Sequence, residues 1–259
     1  MTAGPAETVA FLSRPDAYPP PAATVTRRET HMSWVFFVDG AVYKLKKPVR
    51  FPYLDFSTLL RRERACRAEA SLNTALAPGV YGGVVAVTAG PDGALRLGGA
   101  GEVVDWLVRM RRLDERQMLD ARLPSSPPSR GEVAALADTL ARFYRRTRRR
   151  PRDPRRERQA WREALDEDLA VLLRPELGLP AGLVRAIDRA MRRFLRQSDG
   201  DLGERIRRRR IVDAHGDLRP EHIWLGGRVK IIDRLEFNAA LRALDPVDEL
   251  AFLDLECER

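Results

Sequence analysis

The first third of the chain alternates apolar and polar residues in short runs, the period-2 pattern of half-buried strands. Residues 24–29, 34–38 and 41–46 read as three strands, and Asp39-Gly40 between the last two is a type I′ hairpin signal. Residues 80–88, 95–97 and 103–110 read as further strands around a turn at Pro91-Asp92-Gly93. Between the two sets the period becomes helical, from Ser57 as N-cap to Leu76, with Pro78-Gly79 as the stop. Residues 1–22 are rich in Ala and Pro, carry few periodic apolar positions, and read as a flexible lead-in.

Beyond the Pro- and Ser-rich stretch 124–128 the apolar spacing is that of helices. Val133, Leu136, Ala137, Leu140, Phe143 and Tyr144 mark one face. Trp161, Leu165, Leu169 and Leu172 mark a second, and Leu183, Ile187, Met191 and Phe194 or Leu195 a third. Val247, Leu250, Ala251 and Leu253 form a last stripe. The expected class is α+β: a small antiparallel-sheet part with one helix over residues 23–110, then a mainly helical part over 111–259.

One segment breaks the helical run. Ile223-Trp224-Leu225, Gly226-Gly227 and residues 228–232 read as two short strands joined by a tight turn. A hairpin returns the chain to its starting end, so Asp217 before it and Asp233 after it emerge side by side. Paired carboxylates repel unless a cation or a reacting proton sits between them. One Asp holding Mg²⁺ and another receiving a hydroxyl proton is the layout of a phosphoryl-transfer site.

Composition narrows the field. No run of eighteen apolar residues exists and the N-terminus lacks a basic-then-apolar signal, so a cytoplasmic protein without a membrane partner is expected. Cys66 and Cys257 give no disulfide framework. The formal charge is +9, but only four of the 46 basic residues are lysines, and this replacement of Lys by Arg, with abundant Ala and Pro, matches a GC-rich coding background. The densest run, 145–158, is broken by Pro151 and Pro154 and carries no aromatic platform, so no specific nucleic acid is expected.

Three of the four lysines lie in or beside one strand, Lys44, Lys46 and Lys47. Lysine is a compact point charge suited to a phosphate cluster. Val42 and Lys44 share a face, so Val42 can roof a base while Lys44 reaches phosphate; Lys46 is the competing candidate. On the helix after it, Ala65, Glu69, Leu72 and Leu76 fall on one stripe, which places Glu69 on a packing face where it needs a cation. Lys44 is the natural partner.

Val42-x-Lys44, Glu69, His215-Gly216-Asp217-Leu218-x-Pro220 and Ile231-Ile232-Asp233 together resemble the aminoglycoside phosphotransferase family, which has the two-lobed protein-kinase-like fold. Ser33-Trp34-Val35-Phe36, residues 43–48 and residues 245–251 look like an uncharacterised bacterial branch carrying HGDLRPEHI, some of whose members are fused to a P-loop kinase domain. No Gly-x4-Gly-Lys-Ser/Thr run occurs here. The resemblance implies an ATP- and Mg²⁺-dependent transfer of the γ-phosphate to a hydroxyl of a small molecule. In that frame Asp217 is the base and Asp233 the Mg²⁺ ligand. Lys44, held by Glu69, contacts phosphates, and His215 braces the loop that also carries Arg219. The backbone of residues 106–110, with Val108 and Met110, would meet adenine, and the turn ending at Ser33 would cover the phosphates without a glycine. Asp245 and Asp248 read as helix caps.

The chain departs from that pattern at His222, where many relatives have an Asn that holds metal; His222 then touches phosphate or ligates metal as a nitrogen donor. Relatives also continue beyond the last helix. Two alternatives therefore stand: a catalytically impaired nucleotide-binding pseudokinase or scaffold, and a hydrolase using His215, Asp217, His222 and Asp233 as a metal site.

Overall fold

A computed structural model describes residues 4–258. The chain divides into two compact units. The first holds the chain up to Arg146, His215–Arg242 and the segment from Val247 onward; the second holds Thr147–Ala214 with Ala243–Pro246. The N-terminal strands and the segment carrying Asp217 and Asp233 thus share one unit, rather than falling on either side of a boundary near residue 110.

The first unit begins with α1 (Pro5–Leu12), followed by β1 (Val25–Glu29), β2 (Ser33–Val38), β3 (Ala41–Lys46), β4 (Arg50–Phe51) and β5 (Leu54–Asp55). Then come α2 (Leu59–Asn73), β6 (Tyr81–Ala89), β7 (Leu95–Leu97), β8 (Glu102–Arg111), α3 (Leu119–Arg122) and α4 (Arg130–Arg146). The second unit contains α5 (Pro154–Leu172), α6 (Ala181–Gln197), α7 (Asp199–Arg207) and β9 (Val212–Asp213). The chain re-enters the first unit with β10 (Ile223–Trp224) and β11 (Lys230–Ile231), passes β12 (Ala243–Leu244), which pairs with β9, and ends in α8 (Pro246–Cys257).

Among the described residues, β1-β2-β3-β8-β6-β7 form one antiparallel sheet, as the alternating pattern predicts. Asp39 turns the β2–β3 hairpin with φ at 48° and accepts hydrogen bonds from Ala23 N and Thr24 N, so one carboxylate ties the turn to the start of β1. The helix α2 starts one residue later than its sequence signal: Thr58 Oγ1 caps Arg61 N, while Ser57 is engaged by Asp55. Its buried side carries Arg62, Ala65, Cys66, Glu69 and Asn73. Arg62 pairs with Asp105 of β8 at 2.8 Å, an ion pair placed under the helix.

Three expectations change. Residues 4–22 are not a loose lead-in. Pro5 starts α1, Gly4 N donates to Glu7, and Val9, Leu12, Ala17 and Tyr18 join Phe36, Tyr43, Leu45 and Leu107 in the core beneath the sheet. Tyr18 Oη donates to Leu12 O at 2.6 Å, closing the segment on itself. A helix of two turns offers too few apolar repeats for its periodicity to be read. The 223–231 hairpin forms, but Ile223 pairs with Ile231 and Trp224 with Lys230, so the turn spans residues 225–229 rather than the two glycines alone.

The third change concerns α6. The helix forms where its apolar stripe predicts, yet Leu183, Ile187, Met191 and Phe194 are 46–58% exposed, so the stripe does not supply its packing face. The helix instead packs through Val184 and an ionic face, where Arg192 pairs with Asp188 and, on α5, with Asp166. No helix among the described residues is long and apolar enough to cross a membrane.

If residues 5–18 belong to the core, Leu12→Ala should cost about 3 kcal/mol of stability, because it empties a fully buried site. Urea unfolding measures this; an unchanged midpoint and slope would return the segment to a loose lead-in.

Candidate functional site

The site lies in the first unit, in a cleft of about 610 Å³. Its upper wall is built by the sheet: Val42, Lys44 and Lys46 from β3, Ser33 and Val35 from β2, and Met110 from β8. Its lower wall is built by the loop and hairpin, with Asp217, His222, Ile232, Asp233 and Glu236.

At its centre sits an ion cluster. Lys44 Nζ lies 2.5 Å from Asp233 Oδ1 and 3.1 Å from Glu69 Oε1, the latter an ion pair without hydrogen-bond geometry. Lys46 Nζ donates to Glu69 Oε2 at 2.6 Å and also to Glu236. Glu69 is fully buried, as its position on the apolar stripe of α2 predicts, and it serves both lysines. Burial opposes the charge on Lys44, but Asp233 and Glu69 outweigh it and hold its pKa well above that of a free lysine. Burial likewise opposes ionisation of Asp233, and Lys44 followed by His222 outweighs it, so this carboxyl sits below the usual range. Glu236 is raised by burial, with Lys46 only partly offsetting it.

The loop 215–222 is braced from beneath. His215 is fully buried, its Nε2 donates to Ile232 O at 2.9 Å, and its Nδ1 accepts from Asp217 N at 3.3 Å. Only the neutral Nε2–H tautomer satisfies both bonds. Burial pushes the His215 pKa down to about 3. His222 Nδ1 donates to Asp217 O at 2.8 Å, and its Nε2 lies at the cleft wall, 3.8 Å from Asp233 Oδ2. The His222 ring thus stands between the two carboxylates, with Asp217 Oδ2 3.9 Å from Nδ1. Burial raises the pKa of Asp217, and His222 and Arg219 partly counter it.

Not every residue chosen from sequence reaches the cleft. Val108 is fully buried and opposite Lys44 on one side and Val84 on the other, so its backbone belongs to the ladder. The same holds for residues 107–110, which are paired with both β3 and β6; Met110 contributes a side chain to the cleft but no free strand edge. The next segment is the available one: Arg111, Arg112 and Leu113 line the cleft, and the Leu113 backbone has no hydrogen-bond partner among the described residues. Arg219 does not line the cleft; it pairs with Glu221, which does, at 2.9 Å and with Glu256 at 3.2 Å. Ser33 lines the wall, with its N–H bonded to Thr30 Oγ1 at 3.0 Å in the glycine-free turn.

Four residues of the site carried no signal in the sequence reading: Glu236, Tyr81, Asn73 and Glu249. Glu249 of α8 is buried and accepts from His215 N at 3.2 Å, Gly216 N at 2.6 Å and Tyr144 Oη at 2.6 Å. It therefore fixes the first turn of the 215–217 loop, at a position next to Asp248, which the sequence had offered only as a cap. Its place one turn into a helix, on the side of Leu253, was the available clue.

Because His215 stays neutral when folded and takes up a proton near pH 6.5 when unfolded, unfolding binds a proton below that pH. Stability is thus full above about pH 6.5 and is lost as pH falls from there toward 3. Between pH 6.5 and 5 the loss should be about 2 kcal/mol. His215→Asn should flatten this limb in urea unfolding at the two pH values; an identical slope in the variant would contradict the assignment.

No protein-family model matches the chain. It is 36% identical over 234 residues to uncharacterised proteins of Mycobacterium tuberculosis and Mycobacterium bovis, covering 89% of this chain and 45% of theirs. The chain therefore spans less than half the length of these curated relatives. Among solved structures it is similar to the GDP and kanamycin complex of an APH(2″) aminoglycoside phosphotransferase, with TM-score 0.54, 14% identity, and coverage of 96% of this chain and 78% of that one. It is also similar to a choline/ethanolamine kinase family protein from Mesorhizobium loti, with TM-score 0.50, 16% identity, and coverage of 97% and 71%. At such identities the likeness is one of fold. In fold, this chain is an aminoglycoside phosphotransferase-like, protein-kinase-like protein.

Proposed function

We propose that the chain is an ATP-dependent phosphotransferase that moves the γ-phosphate to a hydroxyl group of a small molecule. The observation that carries this reading is the Lys44 ammonium, held between Glu69 and Asp233 on the wall of a cleft that also contains Asp217. A strand lysine opposite a metal-type carboxylate, with a second carboxylate nearby for the proton, is the division of labour that phosphoryl transfer requires.

In this reading Lys44 contacts the α- and β-phosphates and Glu69 holds it in place. Val42 and Met110 pack on the base, and the backbone of Leu113, rather than that of residues 106–110, pairs with its edge. Asp217 orients the acceptor hydroxyl and takes its proton as the new O–P bond forms and the bridging β–γ P–O bond breaks. Burial raises the pKa of Asp217, which favours that role. His215 keeps the loop in register and touches neither substrate.

The residues present fit Mg²⁺. Among the described residues no group of three or more His, Cys, Asp or Glu side chains forms a metal cage, and Asp233 is the carboxylate best placed for a cation. Mg²⁺ takes one or two protein carboxylates and completes its shell with phosphate oxygens and water. When bound it would neutralise charge on the phosphates. The absence of a histidine-rich cage among the described residues also counts against the zinc-type hydrolase.

A second reading rests on His222, whose Nε2 faces Asp233 where an oxygen donor would suit Mg²⁺ better. It gives a nucleotide-binding protein that turns over slowly or not at all. The GDP, kanamycin and choline in the names of the structural neighbours identify no acceptor for this chain.

ATP should raise the melting temperature only when Mg²⁺ is present. A screen of hydroxyl metabolites for stimulated ADP release should find an acceptor. With it, Asp217→Asn should keep the ATP-induced shift and lose transfer by roughly 10²- to 10⁴-fold. Asp233→Asn should lose the Mg²⁺ dependence of the shift. Equal transfer by wild type and both variants would remove these roles, and an Mg²⁺-independent shift without any turnover would favour the second reading.

A further inference from the structure

Five successive backbone N–H groups passing through Asp233 are each held by a different partner. Ile231 N donates to Leu76 O at 3.1 Å, Ile232 N to His222 O at 2.9 Å, and Leu235 N to His215 O at 3.1 Å. The two central groups are held by side chains: Asp233 N donates to Tyr81 Oη at 3.0 Å, and Arg234 N to Asn73 Oδ1 at 2.8 Å. Backbone carbonyls are available in any sequence; Tyr81 and Asn73 are not.

Asp233 needs such a hold. Its φ is 61°, in the left-handed region where a Cβ crowds its own backbone; aspartate enters it more readily than most residues but still gains from partners that hold the backbone there. The direction of the carboxylate follows from that backbone: a relaxed φ would swing it away from Lys44 and out of the cleft.

We propose that Tyr81 and Asn73 are positioning residues that fix the backbone of Asp233, and with it the direction of the metal-binding carboxylate. This rests on the reading of Asp233 as the metal ligand. Tyr81 opens β6 opposite Met110, and the register shift between Tyr81 and Gly83 lies beside it; such irregularities re-aim side chains. The Tyr81 ring lines the cleft while its hydroxyl reaches beneath Asp233. Asn73 is fully buried at the end of α2, where its Nδ2 also donates to Glu69 O at 2.9 Å and Arg234 O at 3.4 Å. It therefore clamps the helix that carries Glu69 to the segment after β11 that carries Asp233. The two carboxylates flanking Lys44 are aligned through one amide.

Tyr81→Phe removes only the acceptor oxygen, and Asn73→Ala removes the second clamp. In each variant Mn²⁺ affinity, read by electron paramagnetic resonance in the presence of a non-hydrolysable ATP analogue, should fall by roughly 10-fold. Amide exchange should speed up at Asp233 in Tyr81→Phe and at Arg234 in Asn73→Ala. Wild-type Mn²⁺ affinity and exchange in both variants, alongside lost Mn²⁺ binding in Asp233→Asn, would overturn the positioning role alone. Loss of a cooperative melting transition in both variants would make these residues structural and overturn it equally. Wild-type Mn²⁺ binding in Asp233→Asn would instead show that the metal-ligand reading itself had failed.

Discussion

Lys44 and Lys46 project from one strand into a space that also holds Glu69, Asp233 and Glu236. Each ion taken out of water costs several kcal/mol, so such a cluster persists only if every charge finds partners, and removing one partner from a buried pair costs about 3–5 kcal/mol. The five groups come from β3, α2 and the segment after β11, so these elements can close on one another only in an arrangement that satisfies all of them. The cleft is the product of that condition. Its ammonium and carboxylate are already face to face, which is a resting arrangement for groups that would otherwise each need a counter-ion.

The frame beneath the cluster is built from hydrogen bonds around a neutral imidazole and one buried carboxyl group. A charged imidazole at His215 would be buried with no anion against it, and its two hydrogen bonds require the Nε2–H form. Glu249 takes three donors from the loop and from α4, so the turn that presents Asp217 is held by a carboxylate outside the reaction space. Charge is concentrated at the cleft wall, while the support is made of hydrogen bonds whose geometry does not vary near neutral pH.

The elements that line the cleft were legible in the sequence because local rules dominate there. Strand alternation gave β1, β2, β3 and β8, the stripe of α2 gave Glu69, and the hairpin gave the return from Asp217 to Asp233. What stayed hidden depends on tertiary context. α1 is too short to show a period, Tyr81 and Asn73 act on a backbone distant in sequence, and Glu249 sits among acidic neighbours that look like ordinary helix-start residues. A strand's apolar pattern likewise does not reveal that residues 107–110 are paired on both edges. The stripe of α6 marks a helix that does form, but periodicity identifies an apolar face without saying what lies opposite it.

The most direct measurement is a crystal structure with Mg²⁺ and a non-hydrolysable ATP analogue. The phosphates should lie in the cleft lined by Val42 and Met110, with Lys44 Nζ transferred from Asp233 to phosphate oxygens and the freed carboxylate on the metal. A nucleotide bound elsewhere, with Lys44 still 2.5 Å from Asp233, would contradict the account.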